Sequence, residues 1–262
     1  MEKNVVAVIM AGGLGKRMDS NIPKVLHKIN DIPMINSILI QLKKLSFIVN
    51  LEKIIIVVGK YKEEIKSVID SLISLPEIVY VTQEVPQGTG HAIMCCKPEL
   101  LKHIDSDILI LSGDVPMLSS YTMESLLNMI SNVKFIIATI DDSTGYGKIV
   151  LKNNKFYKIV EHKDCTVEEL SILQINSGIY CIKSNLLCKY LSYLRNDNNQ
   201  SEYYLTDIIK IIKDNENIDI DMLEIEKDKL YEIIGINTIK QLNELEELMK
   251  NKKIETEYIC LI

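Results

Sequence analysis

Apolar positions in the first half of the chain alternate between two kinds of stretch. Short runs rich in Ile and Val, at Val5–Met10, Ile54–Val58, Ile78–Val81, Ile108–Leu111 and Phe135–Ile140, read as strands. Between them, Met34–Leu45, Tyr61–Ile73, Thr89–Leu101 and Ser119–Ile130 have the spacing of helices. Strands apolar on both faces, joined by crossover helices, predict a parallel sheet covered on both sides. In such sheets the ligand crevice lies outside the carboxyl ends of the strands. From about Gly145 the pattern changes: Lys148–Val150, Tyr157–Glu161 and Ile175–Ile182 are strand-like and lack long intervening helices. They predict an antiparallel addition. Tyr203–Ile212 and Thr238–Lys250 are predicted helices, and Arg195–Gln200 is a polar loop.

Composition narrows the class. The 262 residues are 47% hydrophobic and 25% charged, enough for a packed globular core. Trp is absent and Phe scarce, so Ile, Leu and Val must build that core. A net charge of −6 argues against a nucleic-acid partner, which needs a basic surface, but a local cation cluster can still attract a small anion. The apolar run Val5–Met10 is too short for a signal segment or a membrane span, so no membrane partner and a cytoplasmic location are expected. Cys95, Cys96, Cys165, Cys181, Cys188 and Cys260 show neither a C-x-x-C pair nor a zinc spacing, and reduced buried thiols are expected.

The chemistry begins at the end of the first strand, in Ala11-Gly12-Gly13-Leu14-Gly15-Lys16-Arg17-Met18. This is neither a Walker loop nor G-x-G-x-x-G, because Arg17 and Met18 occupy the diagnostic positions. Its three glycines let backbone N–H groups approach phosphate oxygens, and Arg17 can bind a phosphate through two nitrogens. Pro23 rigidifies the approach to Lys24, a candidate second phosphate ligand. Gln83-Glu84-Val85-Pro86-Gln87-Gly88-Thr89-Gly90 follows another strand. The Gln83 amide could read the edge of a pyrimidine, although a plain strand-to-helix loop accounts for the segment equally well. Asp114, just past the strand Ile108–Leu111, places a hard carboxylate where Mg²⁺ and ligands bind in parallel sheets. Glu161 and Asn176 could hydrogen-bond sugar hydroxyls. Asn237, ahead of a helix, reads as a loop residue or N-cap. His27, His91, His103 and His162 form no metal-like pair and no G-x-S-x-G elbow exists, so hydrolase chemistry has no motif here.

Taken in order, these segments resemble the uridylyltransferase (pyrophosphorylase) domain of the bacterial bifunctional proteins that make UDP-N-acetylglucosamine. The resemblance runs through Met10–Met18, Ser20–His27, Gln83, Gly88–His91, Gly113–Pro116, Thr144–Gly147, Val160–Asp164, Asn176, Glu202–Asp207 and Gly235–Thr238. It implies a Rossmann-like nucleotidyltransferase fold of the α/β class: a mixed, mostly parallel sheet, helices on both faces and a small antiparallel sugar-binding insert. One domain is implied, with a nucleotide-binding part at 1–143, a sugar-binding part at 144–237, and a C-terminal helix and tail at 238–262. The implied substrates are UTP and N-acetylglucosamine 1-phosphate, and the products UDP-N-acetylglucosamine and pyrophosphate. Met10, Ala11, Gly12 and Gly13 would border the nucleotide, with Gln83, Gly88 and Thr89 at the uracil. Arg17 and Lys24 would act on the phosphates. Gly113, Asp114, Gly147, Glu161, Asn176 and Asn237 would face the sugar phosphate, and Asp114 and Asn237 would hold Mg²⁺. For Asn237 the metal role comes from the resemblance alone.

The chain departs from the family pattern at Lys16, Gly12, Ser112 and Lys148. These departures bear on substrate preference, and the same chemistry on glucose 1-phosphate or with another nucleotide is the nearest alternative. A non-catalytic nucleotide-sugar sensor is the alternative from another class, and retention of Arg17, Lys24, Asp114 and Asn237 speaks against it. No hexapeptide repeat is visible in this sequence, so the acetyltransferase activity of the bifunctional proteins is not inferred from it.

Overall fold

The computed structural model describes residues 3–69 and 75–252. The expected helix Tyr61–Ile73 therefore lies partly outside the described residues, as do Cys260, the tail beyond 252 and the side chain of Lys16. Eleven strands are present among the described residues: β1 Asn4–Met10, β2 Lys28–Ile29, β3 Ile32–Pro33, β4 Asn50–Val58, β5 Ile78–Thr82, β6 Asp107–Ser112, β7 Val133–Thr139, β8 Lys148–Lys152, β9 Lys155–Val160, β10 Gln174–Lys183 and β11 Asp221–Glu224. The helices are α1 Met34–Leu45, α2 Lys62–Ile69, α3 Thr89–Leu100, α4 Ser120–Asn128, α5 Val167–Leu170, α6 Ser184–Tyr190, α7 Thr206–Glu216 and α8 Ile239–Lys252.

The main sheet runs β11-β7-β10-β6-β1-β4-β5, with β8 paired to β10 and β9 paired to β8. β1 lies parallel to both β4 and β6, β4 is parallel to β5, and β11 is parallel to β7. β10 is antiparallel to both β6 and β7. The mixed, mostly parallel sheet of the expected α/β fold is thus present. The stretch read as part of the antiparallel addition goes further than the pattern suggested: β10 is an internal strand of the main sheet.

Strand alternation divides the core. Val5, Ala7 and Ile9 of β1 pack in one cluster with Ile35, Ile38, Leu39 and Leu42 of α1 and with Met123 and Leu126 of α4. Val6 and Val8 face the other side, against Ile93 and Cys96 of α3 and Ile208, Ile209 and Ile212 of α7. Successive residues of one strand therefore bury opposite faces, the geometry a two-sided sheet needs. A third cluster joins Met18, Met34 and Met117 to Ile236, Leu242 and Met249, and docks α8 beneath the loop after β1.

Two differences from the sequence reading bear on the site. α7 begins at Thr206 rather than Tyr203, because the preceding backbone is engaged elsewhere: Tyr203 N donates to Gln87 O at 2.8 Å and Gly90 N donates to Tyr203 O at 2.7 Å. Asn237 is not the cap of α8. Gln241 N donates to Thr238 Oγ1 at 3.2 Å and Gln241 Oε1 accepts from Thr238 N at 3.1 Å, a reciprocal pair that makes Thr238 the capping residue. The described cysteines are all unpaired thiols. Among the described residues no helix is long and apolar enough to cross a membrane.

Candidate active site

After β5 the chain crosses back to place β6 beside β1, so the order reverses between these two parallel strands. Their carboxyl ends form the crevice where such sheets bind ligands. Met10 ends β1 and Ser112 ends β6, and Gly113 N donates to Met10 O at 2.9 Å across the mouth. A Cβ on Gly113 would lie 3.0 Å from Met10 O, so this close approach requires glycine. Gly15, at φ +60°, turns the loop onto Lys24; a Cβ there would lie 2.8 Å from Lys24 Cβ.

Four of the sequence-predicted residues meet at one point. The Lys24 ammonium contacts Asp114 Oδ2 and donates to Asn237 Oδ1 at 3.0 Å. Arg17 Nη2 donates to the same Asn237 oxygen at 2.8 Å. Asn237 is free to do this because Thr238 performs the capping, and Ile236 N ties the preceding loop to Asp114 O at 2.9 Å. Ser112 Oγ donates to Asp114 Oδ1 at 2.6 Å. A serine at this departure from the family pattern thus fixes the carboxylate's orientation. Among the described residues no three His, Cys, Asp or Glu side chains cluster as a metal cage.

Two cavities open from this point. The first, about 280 Å³, is lined by Met10, Ala11, Gly12, Gly13, Lys24, Gln83, Gly88 and Thr89. The second, about 190 Å³, is lined by Tyr146, Glu161, Asn176, Tyr180 and Thr206. Met10, Thr89, Ser112 and Asp114 line both. In the first cavity, Gln83 Nε2 donates to Gly88 O at 3.1 Å and lies 3.0 Å from His91 Nδ1. Thr89 Oγ1 accepts from Leu205 N at 3.0 Å, so it braces the loop against α7.

In the second cavity, Glu161 Oε1 accepts from Thr206 Oγ1 at 2.9 Å. Burial pushes the Glu161 carboxyl above the usual carboxylate range; the Thr206 bond opposes that shift, and the nearby Asp207, Asp164 and Glu202 add to it. Asn176 Nδ2 donates to Tyr180 Oη at 2.7 Å, while its buried Oδ1 has no partner among the described residues. A Cβ on Gly147 would lie 3.6 Å from Glu161 Oε2 and 3.7 Å from Asn176 Cβ, so the three sequence-predicted residues adjoin. Lys148 does not enter the cavity. It is fully buried and donates to the carbonyl of Ser143, and burial depresses its ammonium pKa.

The chain has relatives among known sequences. A sequence profile of the nucleotidyl transferases matches residues 6–229. The chain belongs to the nucleotidyl transferase family. The transferase is 40% identical over 247 residues to an Acanthamoeba polyphaga mimivirus protein named "Probable UDP-N-acetylglucosamine pyrophosphorylase", covering 92% of this chain and 95% of that one. It is 37% identical over 251 residues to the bifunctional protein GlmU of Clostridium botulinum, covering 94% of this chain and 52% of that one. The chain thus spans about half the length of the bifunctional relative. Its fold also superposes on a UDP-glucose pyrophosphorylase complexed with UDP-glucose, with a TM-score of 0.72 at 18% identity, covering 96% of this chain and 100% of the other.

The sequence reading missed three contributors in the transferase: Ser112 as the residue that orients Asp114, Thr206 as the partner of Glu161, and His91 as the partner of Gln83. The T-x-x-Q spacing of Thr238 and Gln241 was a sequence signal that Asn237 is not the cap. His91 lies eight residues beyond Gln83, and nothing local signals that the two meet.

Proposed function

We propose that this nucleotidyltransferase transfers UMP from UTP to N-acetylglucosamine 1-phosphate, giving UDP-N-acetylglucosamine and pyrophosphate. The observation that carries the reading is the meeting of the two cavities at Asp114, with the Lys24 and Arg17 cations beside it. One cavity has a glycine loop for a nucleoside triphosphate, and the other has a carboxylate and an orphaned amide oxygen for a polyol. The junction is where a bond between the two would form. Similarity to relatives named for UDP-N-acetylglucosamine supports that choice of sugar.

UTP binds along Met10–Gly13 with its base against Gln83, Gly88 and Thr89. Because Gln83 Nε2 is taken up by Gly88 O, its Oε1 is the side of the amide left to accept the ring N3–H of uracil. The sugar lies between Gly147, Glu161 and Asn176, with the ionised Glu161 and Asn176 Oδ1 accepting hydroxyl protons. An oxygen of its phosphate forms a bond to the α-phosphorus, the bond from that phosphorus to the β-phosphate bridging oxygen breaks, and pyrophosphate departs. A sugar 1-phosphate is largely dianionic above a second pKa of about 6, so it attacks without a strong general base. Lys24 and Arg17 neutralise charge on the α-phosphoryl and leaving oxygens.

The Asp114 carboxylate and Asn237 amide oxygen are both hard donors, and one cation, the Lys24 ammonium, touches both. They fit Mg²⁺, which takes few protein ligands and completes its shell with water and phosphate oxygens. Bound there, Mg²⁺ would supply charge neutralisation on the phosphates.

The test is pyrophosphate release from UTP and Mg²⁺ with N-acetylglucosamine 1-phosphate, glucosamine 1-phosphate or glucose 1-phosphate. Release with the first alone is expected. Release with another sugar keeps the chemistry and changes the substrate, and release with none defeats the proposal.

A further inference from the structure

We infer that His91 determines the preference for uracil over cytosine by fixing which end of the Gln83 amide faces the base; this rests on the reading above that the base lies against Gln83. Uracil and cytosine differ where such an amide would meet them. Uracil N3–H donates, whereas cytosine N3 accepts and its exocyclic amine donates. Gln83 presenting Oε1 suits the first, and Gln83 presenting Nε2 suits the second.

The amide has two N–H bonds, and both have a fixed destination. One reaches Gly88 O at 3.1 Å, and a carbonyl can only accept. The other reaches His91 Nδ1 at 3.0 Å. For that contact to be a hydrogen bond, Nδ1 must be the unprotonated nitrogen, which puts the imidazole proton on Nε2. That nitrogen lies 3.9 Å from Cys95 Sγ, one turn along α3, a weak acceptor that suits it. Burial raises the Cys95 pKa, so the group beside Nε2 is a neutral thiol. The Tyr203 ring stands 6.3 Å from the imidazole at a tilt of 32°. Gln83 is itself buried, so an amide rotated by half a turn would leave its oxygen against Gly88 O and its nitrogen without two acceptors.

His91 is a positioning residue, since it contacts Gln83 and is not among the residues lining the first cavity. Its Nδ1 occupies the place that an asparagine Oδ1 would take, one bond beyond Cγ. His91→Asn therefore keeps an acceptor toward Gln83, and His91→Leu removes it while keeping the bulk.

The experiment measures UTP and CTP binding by calorimetry to wild type, His91→Leu and His91→Asn, each checked for cooperative unfolding. Wild type is expected to prefer UTP. His91→Leu is expected to weaken UTP about tenfold and to shrink the UTP-to-CTP ratio by about the same factor, the consequence of freeing one buried amide hydrogen. His91→Asn is expected to restore the ratio to within about threefold of wild type, as a merely structural role would not require. With turnover, the loss should fall on KM for UTP rather than on kcat. An unchanged ratio in His91→Leu, or an Asn variant as poor as Leu, overturns the inference. The wild-type protein supplies a second readout that needs no variant to fold: ¹⁵N spectra of the imidazole nitrogens, in which Nδ1 of His91 should be unprotonated. A protonated Nδ1 overturns the inference. Because binding and tautomer are read without turnover, failure of the sugar assignment leaves this result intact.

Discussion

Alanine at Gly13 separates what the fold needs from what a ligand needs. The neighbouring glycines have reasons within the protein. A Cβ on Gly12 would lie 3.3 Å from the Val58 carbonyl carbon, and Gly15 holds φ +60° with Lys24 pressed against it. At Gly13 a Cβ would meet nothing within 4 Å, yet the residue lines the larger cavity. Gly13→Ala should therefore stabilise the free protein by about 0.4–1 kcal/mol through the unfolded chain's lost freedom. That corresponds to a rise in Tm of about 1–4 °C. The same methyl group would occupy the space through which a phosphate reaches the backbone amides. Loss of one preorganised donor to a phosphoryl group costs about 10²–10³ in turnover, so pyrophosphate release should fall by at least about tenfold. Urea unfolding and pyrophosphate release on the same preparation check both halves. Wild-type turnover and KM for UTP would refute phosphate approach at Gly13. A lowered midpoint would refute the open space assigned to it.

Further predictions concern the charged groups. Lys24→Ala and Asp114→Ala should each lose at least about tenfold in turnover while unfolding cooperatively, and near-normal turnover in both would remove their assigned roles. The two side chains are only 16% and 14% exposed, so each variant should also lose measurable stability by leaving its partner unpaired, which thermal unfolding would detect. Glu161→Gln retains an acceptor for Thr206 but removes the charge. Burial raises the folded pKa of Glu161, so the stability tied to its protonated form is full below the ordinary carboxylate range and is lost as pH rises through the raised folded value. The Gln variant should therefore be the more stable protein at neutral pH, with that advantage vanishing in acid. Its KM for the sugar phosphate should rise about tenfold to hundredfold through loss of a charged hydrogen bond. Unfolding curves at pH 4 and pH 7, with kinetics at pH 7, test both statements.

The parallel half was legible in the sequence because β-branched runs and helical spacing are local signals. β1 and α1 lie where the pattern put them, at Asn4–Met10 and Met34–Leu45. The position of β10 was not legible. The run Ile175–Ile182 shows that a buried strand exists, but its partners lie 70–74 residues upstream on β6 and 37–49 residues upstream on β7, and no local feature selects them. The start of α7 was misjudged for a related reason. Tyr203, Tyr204 and Leu205 carry helical spacing, but the Tyr203 backbone is bonded to Gln87 and Gly90, so the helix starts only at Thr206 and tertiary pairing overrides propensity. At the site, Arg17, Lys24 and Asp114 were readable as chemistry from type and strand position. Which residue orients which was not, because Ser112, Thr206 and His91 take their meaning from contacts made only once the chain is folded.

The position of β10 also ties the lining of the smaller cavity to the body of the sheet. Its first residues carry Asn176 into the smaller cavity, where Asn176 N donates to Gly147 O at 2.9 Å. After the irregularity between Asn176 and Tyr180, with Gly178 at φ +80°, the same strand pairs Tyr180 with Ile110 of β6 and with Phe135 of β7. Without β10, β6 would have an unpaired edge, and β7 and β11 would have no connection to the rest of the sheet. β6 in turn ends at Ser112, two residues before Asp114. Asn176 lies on β10 and Asp114 two residues past the end of β6, and these strands pair at Tyr180–Lys183 with Asp107–Ile110, so the sheet ties together the two sides of the smaller cavity. Positioning is the main catalytic resource available to a phosphoryl transfer that lacks a strong base, and a sheet interior is the most rigid frame this chain offers for it.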